Sequence, residues 1–184
     1  MKKAVFLDRD GVINEDSGYV SSVENFKFIH GVFETLKEFR KLGFLLIIVT
    51  NQSGIARGFY SLEDFMVLNE FMLDEFAKNG IKIDKVYFCP HGPEADCECR
   101  KPRAGMILQA LSEFNIDPKK SLLIGDKPSD IEAAKNANLA NAYQIGIDGA
   151  NLKEIYENSD NWRSGFYRLK FSQTFYGKTR SFGG

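Results

Sequence analysis

Asp8 and Asp10 stand one residue apart at the end of an apolar run that begins near Lys3. Gly11 follows them and lets the backbone turn sharply. If a strand ends at Asp8, both carboxylates lie at its carboxyl end, where open α/β sheets bind their ligands. Two acids this close raise each other's pKa unless they share a cation, a proton or a phosphate. An acidic turn without a catalytic role is the alternative, so the interpretation depends on what the rest of the chain places beside them.

Polar side chains also follow three other apolar runs, either directly or beyond a cysteine-containing loop. They are Thr50 with Asn51, Arg100 with Lys101, and Asp126 with Asp130. Carboxylates are hard oxygen ligands suited to Mg²⁺, which takes one or two of them together with waters and a substrate phosphate. Hydroxyl, amide and ammonium groups donate hydrogen bonds to phosphate oxygens. The set therefore predicts a site at which a phosphate group bridges to a divalent cation.

All three cysteines of the chain and one of its two histidines fall within positions 89 to 99. Cys89 and His91 are separated by one residue, and so are Cys97 and Cys99. An odd number of cysteines confined to one segment argues against a disulfide framework. Three thiolates and an imidazole match the ligand number and type of a closed, tetrahedral, structural zinc site. Such a site would shape the loop before Arg100; thiols beside an unrelated histidine are the alternative.

Apolar runs and amphipathic segments alternate along the chain. The apolar runs predict strands at Lys3 to Asp8, Phe44 to Thr50, Lys85 to Phe88, Ser121 to Ile124 and Ala140 to Ile145. The amphipathic segments predict helices that begin near Gly31, Ser61, Ala104 and Pro128. Continuous apolar strands are typical of parallel sheets covered by helices on both faces. We therefore predict an α/β fold with a doubly wound, Rossmann-like parallel sheet of about five strands.

The second predicted helix has a recognisable start and a predicted buried side. Ser61 and Asp64 have the spacing of a capping box. The phenylalanine and methionine residues of the helix are predicted to lie in the core, namely Phe65, Met66, Met72 and Phe76.

Composition and charge limit the classes of protein that the chain can be. A chain of 184 residues with 43% hydrophobic content is long enough for one well-buried domain. The net charge of -1 gives no reason to expect nucleic acid or an anionic membrane as a partner. No apolar run approaches the roughly 20 residues that a membrane helix needs, and no signal peptide is recognisable, so we expect a cytoplasmic protein.

The character of the chain changes after about residue 150, so we predict one domain at 1–150 and a C-terminal tail at 151–184. Between positions 161 and 184 the tail has five basic residues, no acidic residue and seven aromatic residues. Tyr167, Leu169 and Phe171 alternate with polar residues, which predicts an extended strand with one apolar face. We expect this face to pack on the domain or on a second subunit, which would give a homo-oligomer.

Taken in order, these motifs resemble those of the haloacid dehalogenase superfamily of phosphotransferases, over residues 4–148. Asp8-Arg9-Asp10-Gly11 resembles its first motif, Thr50-Asn51 its second, Lys101 its third, and Gly125-Asp126 with Asp130 its fourth. Each motif alone is weak, but four in the right order after apolar strands are specific. Since no insertion separates the motifs, the resemblance implies a core without a cap domain.

The same resemblance implies a role for each of these residues. Asp8 would be the nucleophile that forms an aspartyl-phosphate, and Asp10 would be the general acid and base. Mg²⁺ would be held by the Asp8 carboxylate, the Asp10 backbone carbonyl and Asp126. The phosphoryl group would be bound by Thr50, Asn51 and Lys101, and Asp130 would orient the site.

Within the superfamily, the segment at positions 51–58 and the Cys-Pro-His and Cys-x-Cys-Arg-Lys-Pro segments resemble the heptose-bisphosphate phosphatases. This implies Mg²⁺-dependent removal of the 7-phosphate of D-glycero-D-manno-heptose 1,7-bisphosphate, a small phosphorylated sugar, during nucleotide-activated heptose synthesis for surface polysaccharide. Arg100 would grip the remaining phosphate, with Lys127 and Arg57 as further candidates. Histidinol-phosphate phosphatases share nearly the whole set and are the alternative. A non-catalytic, zinc-stabilised binding module is a third interpretation.

Overall fold

The computed structural model describes residues 1–146 and 151–157. In this part of the chain, five strands alternate with five α-helices, and two short 3₁₀ turns lie at Val23–Asn25 and Pro118–Lys120. The strands are β1 (Lys3–Leu7), β2 (Phe44–Asn51), β3 (Lys85–Cys89), β4 (Leu122–Gly125) and β5 (Asn141–Gln144). The helices are α1 (Val32–Lys41), α2 (Leu62–Lys78), α3 (Gly105–Phe114), α4 (Pro128–Asn136) and α5 (Leu152–Glu157).

The five strands form one parallel sheet in the order β3-β2-β1-β4-β5. β1 lies at the centre, where Val5 pairs with Leu46 on one side and with Leu122 on the other. The chain moves outward from β1 to β3 and then returns to β4, so the winding direction reverses between β1 and β4. Open α/β sheets bind their ligands at such a switch point. The predicted five-stranded, doubly wound fold is confirmed.

Alternate residues of the strands face two separate apolar clusters. Val5 and Leu7 belong to the cluster covered by α1, α2 and α5, whereas Ala4 and Phe6 belong to the cluster covered by α3 and α4. Both faces of the sheet are therefore covered by helices, which explains why its strands are apolar throughout. This core fixes the strands so that their carboxyl ends share one edge of the sheet.

The start of α2 and most of its buried side match the prediction. Ser61 Oγ accepts the N–H of Asp64 at 3.0 Å, and Asp64 Oδ2 accepts the N–H of Ser61 at 2.8 Å, so the capping box is confirmed. The residues that are buried as predicted are Phe65, Met72 and Phe76. The prediction for Met66 was wrong, because it is 51% exposed. Met66 lies about 100° around the helix from Phe65, outside the stripe that faces the sheet.

Residues 151–157 pack on the domain. Leu152 and Ile155 of α5 are buried, and the Tyr156 ring meets the Phe39 ring edge to face with 5.4 Å between their centroids. The remainder of the predicted tail, with its seven aromatic residues and the predicted strand, lies outside the described residues. The packing of that segment and the division of the chain at residue 150 stay predictions.

The segments that connect the strands and helices of residues 1–146 contain no inserted domain. The edge of the sheet that carries the polar residues thus has no cap domain in the described part of the chain. No helix within residues 1–146 and 151–157 has the length and apolar character needed to cross a membrane.

Candidate active site and cysteine–histidine cluster

Three carboxylates meet at the carboxyl ends of β1 and β4. Asp8, Asp126 and Asp130 each offer an oxygen that lies within 4.8 Å of the others. Asp8 follows β1 directly, and its N–H donates to the Ile124 carbonyl at 3.0 Å. Gly11 has a φ of +80°, and a Cβ there would lie 2.5 Å from Asp126 Oδ2, so only glycine fits this turn. The predicted acids are thus brought together by the backbone of two adjacent strands.

This group of carboxylates could hold a divalent cation. Asp126 Oδ1 is buried and has no hydrogen-bond partner among the described residues. Burial, together with the charge of Asp8, raises the pKa of Asp126 to about 6. Burial also raises the pKa of Asp8, although the nearby Lys101 acts in the opposite direction. A divalent cation would favour the ionised form of both acids, because carboxylates are ligands that such cations prefer.

Lys101 places a buried positive charge beside Asp8. Its Nζ atom lies 3.1 Å from Asp8 Oδ1 and 2.6 Å from Asp130 Oδ1, and it donates to the Val49 carbonyl at 2.7 Å. Burial lowers the pKa of the ammonium group, but the two carboxylates outweigh burial and raise this pKa above its ordinary value. Lys101 therefore carries its charge next to the oxygen that is predicted to attack a phosphate.

Asn51 and Asp130 hold the surroundings of Lys101 in place. Asn51 Nδ2 donates to the Lys101 carbonyl, and the N–H of Lys101 donates to Asn51 Oδ1, both at 3.0 Å. Asp130 Oδ2 accepts the N–H of Lys127 at 3.0 Å, at the start of α4. These contacts favour a positioning role for Asn51 over the predicted direct contact with substrate. The contacts of Asp130 with Lys101 and with the start of α4 are those expected of a residue that orients the site.

Three neighbouring side chains hold the Asp10 carboxylate. Asn14 Nδ2 donates to Asp10 Oδ1, and Gln52 Nε2 donates to Asp10 Oδ2, both at 3.0 Å. The buried Arg9 side chain forms an ion pair with the same, partly exposed carboxylate, with Nη2 at 2.9 Å from Oδ1. Alternation along an extended chain would direct Arg9 to the opposite side from Asp10. The chain leaves the strand after Leu7 and turns, so the two side chains meet.

Gln52 joins Asp10 to Thr50. Its Nε2 atom also donates to Thr50 Oγ1 at 2.8 Å, and its Oε1 atom accepts the Tyr60 hydroxyl at 2.6 Å. Gln52, Thr50 and Tyr60 are all buried. Thr50 accepts one hydrogen bond from Gln52, and its own hydroxyl proton can still be donated to a phosphate oxygen.

Lys127 and Arg100 are tied to different parts of the site. Lys127 Nζ lies 3.5 Å from Asp126 Oδ2 and 3.1 Å from Asp16 Oδ2. Arg100 is partly buried, and its Nη1 atom donates to the His91 carbonyl at 3.2 Å. Lys127 therefore contacts the carboxylates, whereas Arg100 is held by the cysteine–histidine segment.

Arg57 lies on the exposed loop between β2 and α2. Its guanidinium carbon is 5.9 Å from the centroid of the Tyr19 ring, and Tyr19 packs edge to face against Phe59 with 4.6 Å between ring centroids. These contacts place Arg57 among the outer loops and not in the group of carboxylates. Its contact with substrate stays a prediction.

The three cysteines and His91 form a compact cluster, with all four ligand atoms within 4.8 Å of one another. Cys89 Sγ is 3.0 Å from Cys99 Sγ, 3.7 Å from Cys97 Sγ and 3.5 Å from His91 Nδ1. Zinc with Zn–S bonds of about 2.3 Å keeps tetrahedral ligand atoms roughly 3.5 to 4 Å apart. The four predicted zinc ligands are thus brought together at a spacing close to the one that zinc requires.

The cluster lies at the base of the segment that carries Arg100 and Lys101. β3 ends at Cys89, and the loop returns to the cluster at Cys99. Burial raises the pKa of the Cys89 thiol to about 12. Cysteine binds a metal as the thiolate, so a bound cation would be needed to keep this sulfur ionised.

The residues that hold Asp10 were not predicted from the sequence. They are Arg9, Asn14 and Gln52, together with Tyr60, which binds Gln52. The available signal for Gln52 is its position two residues after Thr50, since residues two apart share a face of an extended chain. For Arg9 the same rule points the wrong way, because the chain is no longer extended there.

Known proteins resemble this chain over most of its length. The family model described as haloacid dehalogenase-like hydrolase matches residues 13–143. A Campylobacter jejuni protein named D-glycero-alpha-D-manno-heptose-1,7-bisphosphate 7-phosphatase is 56% identical over 162 residues, which cover 83% of this chain and 93% of the relative. A Haemophilus influenzae protein named D-glycero-beta-D-manno-heptose-1,7-bisphosphate 7-phosphatase is 48% identical over 145 residues, covering 76% and 79% of the two chains.

A solved structure from B. bronchiseptica has the same fold. It is described as D,D-heptose 1,7-bisphosphate phosphatase complexed with magnesium and phosphate. It is 28% identical in sequence to this chain, with a TM-score of 0.77, and the match covers 86% of this chain and 97% of that one. The similarity therefore extends over nearly the whole of the neighbouring structure.

Proposed function

The chain belongs to the haloacid dehalogenase-like hydrolases and, within them, to the heptose-1,7-bisphosphate 7-phosphatases, and we propose that it releases the 7-phosphate of D-glycero-D-manno-heptose 1,7-bisphosphate. It is then a phosphoric monoester hydrolase. The observation that carries the proposal is the distance of 3.1 Å between Lys101 Nζ and Asp8 Oδ1, which gives a buried cation beside a carboxylate nucleophile. The names of the relatives favour a sugar bisphosphate over histidinol phosphate.

The residues at the sheet edge have complementary roles in this reaction. The Asp8 carboxylate attacks phosphorus in line and forms an aspartyl-phosphate as the bond from phosphorus to the sugar oxygen breaks. Asp10 donates a proton to the leaving sugar oxygen and then takes a proton from the water that hydrolyses the aspartyl-phosphate. Lys101 and Thr50 bind the phosphoryl oxygens and offset their negative charge.

Mg²⁺ fits the carboxylates of this site. Asp8, Asp126 and the Asp10 carbonyl would hold it, and this set is supported by the buried Oδ1 atom of Asp126, which has no hydrogen-bond partner within residues 1–146 and 151–157. When bound, Mg²⁺ neutralises part of the charge of the acids and of the phosphate.

Zinc fits the cysteine–histidine cluster as a structural ion. The ligands would be Cys89, His91, Cys97 and Cys99, in the number and type of a closed site. The ion would hold the loop that carries Arg100, whose Nη1 atom bonds to the His91 carbonyl. Arg100 is then the residue that binds the 1-phosphate, with Lys127 and Arg57 as further candidates.

The reaction belongs to nucleotide-activated heptose synthesis for lipopolysaccharide or another surface polysaccharide. The substrate is a small phosphorylated sugar. A cytoplasmic location and a homo-oligomer formed through the C-terminal tail stay predictions from the sequence.

Phosphate release from a panel of substrates tests the proposal. The panel contains both anomers of heptose 1,7-bisphosphate, because the relatives are named for both, together with fructose 1,6-bisphosphate and histidinol phosphate. We expect the highest kcat/KM for one heptose anomer and loss of activity without Mg²⁺. A higher kcat/KM for histidinol phosphate would overturn the assignment.

A further inference from the structure

Gln52 uses both protons of its amide inside the site. Nε2 donates to Asp10 Oδ2 at 3.0 Å and to Thr50 Oγ1 at 2.8 Å. The side chain is buried, with an exposed fraction of 2%. One planar group thus joins the proposed acid to a proposed phosphate-binding hydroxyl, and a change in its orientation would alter both hydrogen bonds together.

The Asp10 carboxylate and the Tyr60 hydroxyl hold the two ends of the Gln52 amide. It donates to Gln52 Oε1 at 2.6 Å. A flipped amide would direct Oε1 at the Asp10 carboxylate, which accepts hydrogen bonds and cannot donate one when ionised. Burial raises the pKa of Tyr60, so the hydroxyl keeps its proton and remains a donor at neutral pH. The ionised Asp10 carboxylate therefore favours the orientation in which Nε2 faces it, and the Tyr60 hydroxyl holds Oε1 at the other end of the amide.

The loop between β2 and α2 fixes the Tyr60 ring. A Cβ on Gly54 would lie 2.1 Å from the Cε1 atom of Tyr60, so the ring lies directly against the Gly54 backbone. The Gly54 carbonyl accepts the N–H of Phe59 at 2.9 Å, and the N–H of Gln52 donates to the Cys89 carbonyl at 2.8 Å. The loop is thus closed on itself and anchored to β3, which holds the hydroxyl in reach of Gln52.

From these contacts we propose that Tyr60 is a positioning residue for Asp10 and acts through Gln52. The inference rests on the proposed function, in which the proton of Asp10 goes to the sugar oxygen as the Asp8–phosphorus bond forms. The Tyr60 hydroxyl binds Gln52 and reaches Asp10 only through it, so Tyr60 takes no part in the proton transfer itself. Arg9 and Asn14 also bind the Asp10 carboxylate, so loss of the Gln52 contact misorients Asp10 and does not release it.

The leaving group distinguishes a positioning role from a general structural one. A sugar alkoxide is a poor leaving group and needs a proton from Asp10, whereas p-nitrophenolate leaves without one. A misoriented Asp10 therefore slows transfer from a sugar phosphate more than transfer from p-nitrophenyl phosphate. Both rates are measured on one protein preparation, so their ratio does not depend on the fraction of active enzyme.

Tyr60→Phe removes the hydroxyl and keeps the ring. With Mg²⁺ present, we expect single-turnover transfer from heptose 1,7-bisphosphate to fall about 10-fold more than the first-turnover release of p-nitrophenol, because any effect through Thr50 acts on the phosphoryl group of both substrates. Gly54→Ala displaces the ring and should shift the ratio in the same direction. Tyr87→Phe is the matched control, because the Tyr87 hydroxyl also donates at 2.6 Å, to Glu113 Oε2, and its loss should leave the ratio unchanged.

Equal losses for the two substrates in Tyr60→Phe would overturn the inference while leaving the proposed function intact. Asp10→Asn distinguishes a failure of the inference from a failure of the proposed function. If Asp10 is the acid, this variant should change the ratio of the two rates more than Tyr60→Phe does. If Asp10→Asn leaves the ratio unchanged, Asp10 is not the acid, and its role in the proposed function fails together with the inference.

Discussion

The ammonium group of Lys101 lies 2.6 Å from the Asp130 carboxylate, and both side chains are buried. Asp130 has no exposed surface, so it acts on a substrate through Lys101 and through the start of α4, where it accepts the N–H of Lys127. Removing one partner of a buried ion pair leaves the other charge uncompensated. The pair therefore fixes the position of the cation that lies beside Asp8.

Asp130→Asn should destabilise the protein and weaken phosphate binding. We expect the free energy of unfolding to fall by about 1 to 3 kcal/mol, because Lys101 keeps Asp8 as a partner while it loses Asp130. Urea unfolding measures the stability, and steady-state kinetics should show a higher KM. Asp74→Asn, on the exposed side of α2, is the control and should change neither quantity. Wild-type stability in Asp130→Asn would contradict a supporting role for the ion pair.

The raised pKa of Asp126 predicts a pH-dependent stability in Mg²⁺-free buffer. The pKa is about 6 in the folded protein against an ordinary value of 3.8, so the folded state binds this proton more tightly than the unfolded state. The stability that protonated Asp126 contributes is present below pH 3.8 and is lost as the pH rises through about 6. The asparagine of Asp126→Asn does not ionise, so the variant does not lose this stability as the pH rises. The Tm of the variant minus the Tm of the wild type should therefore be more positive at neutral pH than at about pH 4.

Mg²⁺ provides the second half of that test. Because the ion binds the ionised carboxylate, it should raise the Tm of the wild type at neutral pH and have little effect on Asp126→Asn. Asp74→Asn should respond to Mg²⁺ and to pH as the wild type does. Parallel pH profiles for the wild type and Asp126→Asn would mean that Asp126 titrates at its ordinary pKa.

The strands and the residues at their ends were predictable because both depend on local composition. A continuous apolar run such as the one from Phe44 to Val49 can be buried only between two layers of helices, and Thr50 and Asn51, which follow it, must then reach the edge of the sheet. The approach of Asp8 to Asp126 follows from the parallel topology. The cysteine–histidine cluster was predictable for another reason, since its four ligands lie close together in the chain.

The contacts around Asp10 could not be predicted in the same way. Arg9 pairs with Asp10 in a turn, where neither the period of a strand nor that of a helix applies. Tyr60 reaches Gln52 only because the intervening loop folds its ring onto Gly54. Met66 shows the limit of periodicity within a regular helix, because adjacent apolar residues cannot all face the sheet.

The cysteine–histidine cluster predicts about one zinc ion per chain. Metal analysis of the purified protein should find it, and His91→Gln should lower both the zinc content and the Tm, because ligand binding and local folding are linked. The matched control is His30→Gln, which changes the other histidine of the chain and should retain the zinc. Full zinc content in His91→Gln would show that the metal, if bound, uses other ligands.

Arg100→Met tests how the second phosphate is recognised. If Arg100 binds the 1-phosphate, KM for heptose 1,7-bisphosphate should rise about 10- to 100-fold, since a hydrogen bond to a charged group contributes about 1.5 to 3 kcal/mol. KM for the corresponding 7-monophosphate should change little, because that substrate has no 1-phosphate. Arg103→Met is the control from the same loop: Arg103 donates to the Cys97 carbonyl at 2.8 Å and pairs with Asp96, so its loss should affect both substrates alike. An equal rise in KM for the two substrates in Arg100→Met would mean that Arg100 shapes the loop and does not contact the 1-phosphate.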